Sequence, residues 1–250
     1  MEAVIMIDMQ NGFINKASSL CVRDAEKTVP VCAKVLSEAR AAGKMVVIVN
    51  RRYREDGVDV EKTRQEVWER GGRPLTPGST GSISEENPAS LAPQASDYVV
   101  IKPRFSAFFH TELDLLLRRK RIEKIYLMGT TTPNCIRTTC YDGLSLDYDV
   151  AVIEDACSSN TDEIQRVNME DMKRVGAKIL SAEQVITSCK AAGSAAAGAA
   201  QEQKGSESYD PVAKQVACEM LLRGLSPDMI AAATGVPYPV LMELKRQIED

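Results

Sequence analysis

The sequence predicts an α/β fold, in which a parallel sheet of six strands is flanked by helices and followed by a small C-terminal helical appendage. Short apolar runs alternate with amphipathic segments of helical period through most of the chain, which is the order of β-α-β units. The runs are rich in Val and Ile, as is typical of parallel strands buried on both faces. Near residue 191 the composition changes to Ala, Gly and Ser, which separates the appendage.

Six apolar runs predict the strands, in the order Ala3–Asp8, Met45–Asn50, Tyr98–Lys102, Lys124–Gly129, Asp149–Glu154 and Lys178–Leu180. Between them, apolar residues at helical spacing predict helices near Ala25–Ala42, Glu61–Trp68, Thr111–Arg119, Asn134–Leu146 and Asp162–Val175. Gly43 and Gly176 follow two of these helices, where glycine commonly caps a helix. The segment from Gly71 to Pro93 has no periodicity and predicts a long connection, either a functional loop or a plain surface loop.

The composition is that of a globular protein with one main domain. The 250 residues are 44% hydrophobic and 26% charged, with a net charge of −4. This acidic balance disfavours a nucleic-acid partner, since such proteins usually carry a basic excess. The chain starts directly in a strand, and no apolar stretch approaches the roughly 20 residues of a membrane span. We therefore expect a cytoplasmic protein that acts on a small molecule and has no membrane partner.

Cysteine and histidine counts limit the chemistry. Seven cysteines form no CxxC pair and are odd in number, which favours reduced thiols. His110 is the single histidine. A Cys-His or Ser-His-Asp mechanism would have to use it, and a His-rich metal site cannot be built from one residue. A carboxylate or a lysine must therefore move the protons of any catalysis, and packing or local capping is the expected role of His110.

Three chemically distinct side chains follow three predicted strands. Asp8 and Lys102 end the first and third strands, and Cys135 follows the fourth after a turn of small residues. The carboxyl ends of parallel strands meet at one edge of a sheet, so these side chains are expected to converge. A thiol at a helix start is also expected to ionise easily, because the helix dipole favours the thiolate. The simpler alternatives are a turn residue, a solvated lysine and a core thiol.

Three motifs together resemble the isochorismatase-like cysteine hydrolase family. They are Ile-Asp-Met-Gln-Asn-Gly-Phe at Ile7–Phe13, the segment Lys102–Leu113, and Gly-Thr-Thr-Thr-Pro-Asn-Cys at Gly129–Cys135. The later segment Val152–Ser159 also matches, and the resemblance spans about Glu2 to Val185. It implies a Rossmann-like sheet of six parallel strands. It also implies that a C–N bond of a small amide, carbamoyl or ureido compound is hydrolysed through a thioester.

The resemblance assigns roles to particular residues. Asp8, Lys102 and Cys135 would be catalytic, and the backbone N–H groups of Thr131 and Cys135 would form the oxyanion hole after a cis peptide bond at Thr130–Thr131. The physical interpretation agrees: Cys135 attacks the carbonyl, and Asp8 takes the thiol proton and returns it to the leaving amine. Lys102 would favour the thiolate and hold Asp8 in position. Relatives usually form dimers or tetramers, so a homo-oligomer is expected.

No metal or other cofactor is expected. Nicotinamidase-type relatives hold a metal with an Asp and histidines after the second strand, but here that segment, Asn50–Gly57, contains no histidine. Arg51 and Arg52 could instead face a carboxylate or carbonyl of the substrate, or form surface salt bridges. Candidate walls of the substrate pocket are three aromatic residues, Phe13, Phe105 and Phe108.

The predicted domains are a hydrolase domain at 1–188, a flexible linker at 189–209 and a helical, helix-turn-helix-like tail at 210–250. From Glu207 to Asp250 there are seven acidic and four basic residues, a net charge of −3. That sign favours a packing or oligomerisation module over a DNA-reading unit. Two alternatives to amide hydrolysis stay open: an isochorismate-type vinyl-ether hydrolase, and a non-catalytic binding protein on the same fold.

Overall fold

A computed structural model of the protein describes residues 1–191 and 211–249. The chain divides into two compact units, Met1–Ser194 and Ala195–Asp250. No helix in the described ranges is long and apolar enough to cross a membrane.

The first unit is built on one parallel sheet of six strands. In chain order these are β1 (Glu2–Ile7), β2 (Met45–Arg51), β3 (Tyr98–Lys102), β4 (Lys124–Thr130), β5 (Asp149–Ser158) and β6 (Lys178–Leu180). Their order across the sheet is β3-β2-β1-β4-β5-β6, and every neighbouring pair is parallel. The predicted α/β fold is thus confirmed. The direction of winding reverses between β1 and β4, which is where such sheets open a ligand crevice.

Helices connect the strands. They are α1 (Asn11–Ile14), α2 (Ala25–Ala41), α3 (Gln65–Arg70), α4 (Leu113–Arg119), α5 (Arg137–Ser145), α6 (Asp162–Arg174) and α7 over residues 182–191. The helix expected from Glu61 is wrong at its start, since α3 begins only at Gln65. The reason is that the Glu61 side chain turns inward to a buried partner, as described below. The helix expected from Asn134 is also wrong at its start, because a π-helical turn occupies Thr132–Ile136 and the α-helix begins only at Arg137.

Apolar side chains on the two faces of the sheet form two cores. On β1, Ile5 and Ile7 pack in one cluster with residues of α4, α5 and α6, whereas Val4 and Met6 pack in the other with residues of α2 and α7. Each fully buried side chain of this size stabilises the fold by roughly 1.5–3 kcal/mol. Burial on both faces explains why the strand sequences show no polar alternation.

The second unit contains three helices, α8 (Pro211–Leu222), α9 (Pro227–Thr234) and α10 (Tyr238–Glu249). Its own small core is formed by Ala217, Ile230, Val236 and Leu241. Pro227 occupies the first turn of α9, and Gly235 ends that helix in the left-handed conformation. Of the expected linker 189–209, residues 189–191 belong to α7 and the remainder lies outside the described residues.

Candidate active site

Asp8, Lys102 and Cys135 come together at the carboxyl edge of the sheet. The Lys102 Nζ lies 2.7 Å from Asp8 Oδ2 and 3.4 Å from Cys135 Sγ. The exposed fraction is 1% for Asp8, 0% for Lys102 and 3% for Cys135. An acid, an amine and a thiol therefore share one site that is closed to bulk water, which strengthens every charge interaction in it.

The local structure explains these positions. Asp8 follows β1 in a left-handed conformation with φ of 53°, and its N–H donates to the Val49 carbonyl at 2.8 Å. Lys102 is the last residue of β3, and its Nζ also donates to the Arg104 carbonyl at 3.0 Å. Each side chain is thus aimed by a backbone held at a strand end.

Cys135 lies in the π-helical turn between β4 and α5. The Thr139 hydroxyl donates to the Cys135 carbonyl at 2.6 Å and accepts the Ala107 N–H at 2.9 Å. The peptide bond Thr130–Thr131 is cis, as the resemblance implied. Thr139 therefore ties the turn that carries Cys135 to the loop after β3, and no sequence pattern marks it.

The electrostatics correct one sequence-based expectation. Complete burial raises the pKa of the Cys135 thiol above its ordinary value, and the neighbouring Asp8 raises it further, while Lys102 and Arg51 lower it by less. Cys135 also precedes α5, which begins at Arg137, so it is not in the first turn of an α-helix. The Cys135 side chain is therefore a thiol at neutral pH.

The Asp8 carboxylate lies next to the Cys135 thiol and interacts with it electrostatically. Apart from that contact and the ion pair with Lys102, its two buried oxygens have no hydrogen-bond partner within the described part of the chain. Buried carboxylate oxygens normally accept several hydrogen bonds. Asp8 therefore has free accepting capacity beside the Cys135 thiol.

Arg51 is buried beside these three residues. Its Nη1 donates to the Tyr53 hydroxyl at 3.0 Å and to the Glu61 carboxylate, and the Tyr53 hydroxyl donates to Glu61 at 2.7 Å. Burial lowers the pKa of Arg51, but the surrounding Asp8, Tyr53, Cys135 and Glu61 raise it more. Arg51 therefore stays a cation. Its charge also helps hold the pKa of Glu61 below its usual value, against the opposing effect of burial.

The neighbouring Arg52 points elsewhere. Its side chain is 47% exposed and pairs with Glu85. It lines a cavity of 760 Å³, together with Gln10, Asn50 and Asn87, that none of the three clustered residues reaches. The side chains of successive residues in a strand point to opposite faces of the sheet, so the side chains of Arg51 and Arg52 point in different directions. Two positions were expected for these arginines. Arg52 forms the surface salt bridge, and Arg51 points into the protein.

The three aromatic candidates also differ. Phe105 lies against two guanidinium groups: its ring centroid is 5.6 Å from Arg51 Cζ and 4.9 Å from Arg64 Cζ. Phe13 is buried and lines a cavity of 240 Å³ with Arg64 and Thr131. Phe108 stacks on Tyr148 at 5.8 Å, and its contacts are those of a packing residue. Phe13 thus lines a cavity, whereas Phe105 packs against the two guanidinium groups.

Residues of the segment after β2 complete the surroundings of the site. Tyr53, Glu61 and Arg64 all take part, and sequence reasoning missed them. Their charged pattern in Glu-Lys-Thr-Arg is ordinary for an exposed helix start. The Glu61 side chain points inward to Arg51 and Tyr53, unlike that of an exposed helix residue. The sequence carries no signal for this orientation.

The donor set does not fit a metal of the nicotinamidase type. Within residues 1–191 and 211–249, no group of three or more His, Cys, Asp or Glu side chains is placed to hold an ion. His110 lies edge-on to Phe109 at 4.4 Å. A guanidinium, Arg51, is present at the end of β2, and a cation there repels a metal ion.

Comparison with known proteins decides the family. The sequence model of the Isochorismatase domain matches residues 2–184. The chain belongs to the isochorismatase family. A crystal structure of an isochorismatase family protein from Desulfovibrio vulgaris is 42% identical to this family member, with a TM-score of 0.69 over 73% of this chain and 94% of that one.

Two curated relatives bear on the chemistry of this isochorismatase-family protein. A probable inactive nicotinamidase from Arabidopsis thaliana is 38% identical over 179 residues, which cover 70% of this chain and 90% of the relative. The ureidoacrylate amidohydrolase RutB from Stutzerimonas stutzeri is 32% identical over 169 residues, covering 62% and 68%. The family thus includes hydrolases of amide C–N bonds.

Proposed function

We propose that this protein is a cysteine hydrolase that cleaves a C–N bond of a small amide, carbamoyl or ureido compound through a thioester on Cys135. The observation that carries the proposal is the closed cluster in which Lys102 Nζ lies 2.7 Å from Asp8 and 3.4 Å from Cys135. A nucleophile, a base and a cation in mutual contact are the parts that acyl transfer needs.

The first half-reaction forms the thioester. Asp8 accepts the proton of Cys135 as Sγ bonds to the carbonyl carbon, and Lys102 and Arg51 stabilise the negative charge on sulfur during the transfer. When the C–N bond breaks, the protonated Asp8 gives its proton to the departing nitrogen. Ammonia or an amine leaves, and the acyl group stays on Cys135.

Charge on the carbonyl oxygen also needs stabilisation in the tetrahedral intermediate. We assign this role to the backbone N–H groups of Thr131 and Cys135, which belong to the same turn. Preorganised donors of this kind typically contribute about 100- to 1000-fold to kcat each.

The second half-reaction releases the product. A water molecule attacks the thioester carbonyl and gives its proton to Asp8, and the acid product leaves as Cys135 takes the proton back. Asp8 thereby serves twice as base and twice as acid, and no histidine is required.

Ammonia release from a panel of small primary amides, carbamoyl compounds and ureido compounds tests the proposal. Wild type should turn over at least one class, whereas Cys135→Ser and Asp8→Asn should lose about 1000-fold or more in kcat. Cys140→Ala, which alters another buried thiol outside the cluster, is the matched control and should retain turnover. Mass spectrometry of a quenched reaction should show an acyl adduct on the Cys135 peptide. Absence of turnover across the panel would reject the hydrolase and favour a binding protein.

We further propose that the protein is cytoplasmic and works as a homodimer or homotetramer. Light scattering coupled to gel filtration measures the assembly directly. A monomer at micromolar concentration would contradict this part of the proposal.

A further inference from the structure

We infer that Arg51 and Arg64, held against the ring of Phe105, form an anion-receiving subsite, so that the substrate carries a carboxylate at the end remote from the scissile C–N bond. This inference rests on the proposed hydrolase and names its substrate class. The unused hydrogen-bonding capacity of the two arginines leads to it.

Arg51 is fully buried, yet only part of its guanidinium is paired. Its Nη1 serves Tyr53 and Glu61, whereas Nε and Nη2 are buried and have no hydrogen-bond partner among the described residues. Buried donors on a charged group are costly to leave unsatisfied. A bound acceptor would remove that cost, and Nε with Nη2 is one edge of the fork that binds a carboxylate through two parallel bonds.

Arg64 supplies the second cation. Its guanidinium lies 4.9 Å from the centroid of the Phe105 ring, and Arg51 lies 5.6 Å from the same centroid. The Arg64 Nη1 is buried without a hydrogen-bond partner in the described part of the protein. Two guanidinium groups against one aromatic ring thus both carry unused donors.

A cavity connects Arg64 to the nucleophile turn. Its volume is 240 Å³, and Arg64, Phe13, Thr131 and Asn134 contribute to its lining. Thr131 and Asn134 belong to the segment that carries Cys135. The cavity therefore reaches from Arg64 to the segment that carries Cys135, while Arg51 and Phe105 lie outside its lining.

The charges of the site favour a monoanion over a neutral ligand. Lys102, Arg51 and Arg64 are cationic, and Asp8 and Glu61 are anionic, which leaves one positive charge in excess. A substrate carboxylate balances this charge and accepts from the free guanidinium donors. The carbonyl of an ester can accept a hydrogen bond, but it neither balances the charge nor offers two equivalent oxygens to the fork, so we expect the protein to prefer an acid to its uncharged ester.

Matched substrate pairs test the inference. N-carbamoylglycine is compared with its methyl ester, and succinamate with its methyl ester, by ammonia release, so that only C–N cleavage is counted. Wild type should prefer each acid by roughly tenfold to a hundredfold in kcat/KM, mainly through KM, since hydrogen bonds to charged groups are of that strength. Equal rates for acid and ester would overturn the subsite.

Variants locate the preference. Arg64→Gln should lose most of the acid-to-ester ratio, and Arg64→Lys should recover part of it through charge without the fork. Arg70→Gln is the matched control, because Arg70 lies on α3 with an exposed side chain paired to Glu66. The acid and the ester are assayed on the same variant, so the ratio of their kcat/KM values does not depend on the fraction of that variant that is folded. A ratio that Arg64→Gln leaves intact would refute the assignment.

Binding separates this inference from the hydrolase proposal. Calorimetric titration of the Cys135→Ser variant with each acid and each ester measures recognition without turnover. Selective binding of the acids, together with no ammonia release by wild type, would uphold the subsite and reject the hydrolase. Binding of neither form, or of both equally, would overturn the subsite even if wild type hydrolyses other amides.

Discussion

The ammonium of Lys102 lies 2.7 Å from the carboxylate of Asp8, and both side chains are closed to solvent. The two residues come from β3 and from the end of β1, which are separated in the sheet by β2. Lys102 therefore spans the end of an intervening strand to reach its partner. Removing one member of such a buried pair leaves an uncompensated charge, which is costly, whereas removing both is far less so.

Lys102→Met should therefore destabilise the fold by about 3–5 kcal/mol, because the buried Asp8 carboxylate loses its ion-pair partner. Urea denaturation measures the loss, and the double variant Asp8→Asn with Lys102→Met is the control. The double variant should be more stable than the sum of the single effects predicts. Additive effects would show that the two groups do not interact across the site.

Cys135 should be a thiol at neutral pH, because burial and Asp8 raise its pKa above the ordinary range. Absorbance at 240 nm, taken as the difference between wild type and Cys135→Ser, should stay flat at pH 7 and rise only above about 8.5, the usual value of a free cysteine. The other six cysteines cancel in this difference. A thiolate signal at pH 6 to 7 would contradict the prediction and remove the need for Asp8 as base.

Gly129→Ala should cost about 3–5 kcal/mol, at the high end of single substitutions. A Cβ at Gly129 would overlap the backbone oxygen of Ile7, so β1 would have to move and carry Asp8 with it. Thermal or urea denaturation measures the loss, and turnover should fall as well.

Gly176→Ala is the matched control for this steric effect. Gly176 has φ of 115° against 116° for Gly129, but no atom lies within 4 Å of the position that an added methyl group would take. Its substitution should cost only the backbone strain, about 1–2 kcal/mol. Equal losses at the two glycines would mean that strain, and not contact with β1, sets the cost.

A chain that ends at Ser194, the boundary of the first unit, should fold and keep its kcat, because each unit has its own core. Thermal melting and kinetics are the measurements. Loss of turnover in a folded 1–194 chain would show that the second unit helps build the active site.

A chain that ends at Ser188 provides the comparison. The expected domain boundary at 188 falls inside α7, and Cys189 is buried in the core between that helix and the sheet. Cutting there should cost about 1–2 kcal/mol through the lost burial. Its melting temperature should be lower than that of the 1–194 chain.

Much of the fold was predictable because local sequence and packing agree. Runs such as that of β1 are short, rich in Val and Ile and without a polar face, which is typical of strands buried on both sides. Asp8, Lys102 and Cys135 follow such runs, and parallel strands bring their carboxyl ends to one edge. Those three positions could therefore be grouped without knowing any distance.

The sequence by itself determined the parallel α/β architecture and the meeting of Asp8, Lys102 and Cys135 at one edge of the sheet. Only the tertiary structure decided that Arg51 turns inward while Arg52 pairs on the surface, that Glu61 leaves the helix pattern, and that Cys135 rests as a thiol. The physical reason is that periodicity encodes which residues are apolar, whereas pairing and ionisation depend on desolvation and on charges distant in the chain.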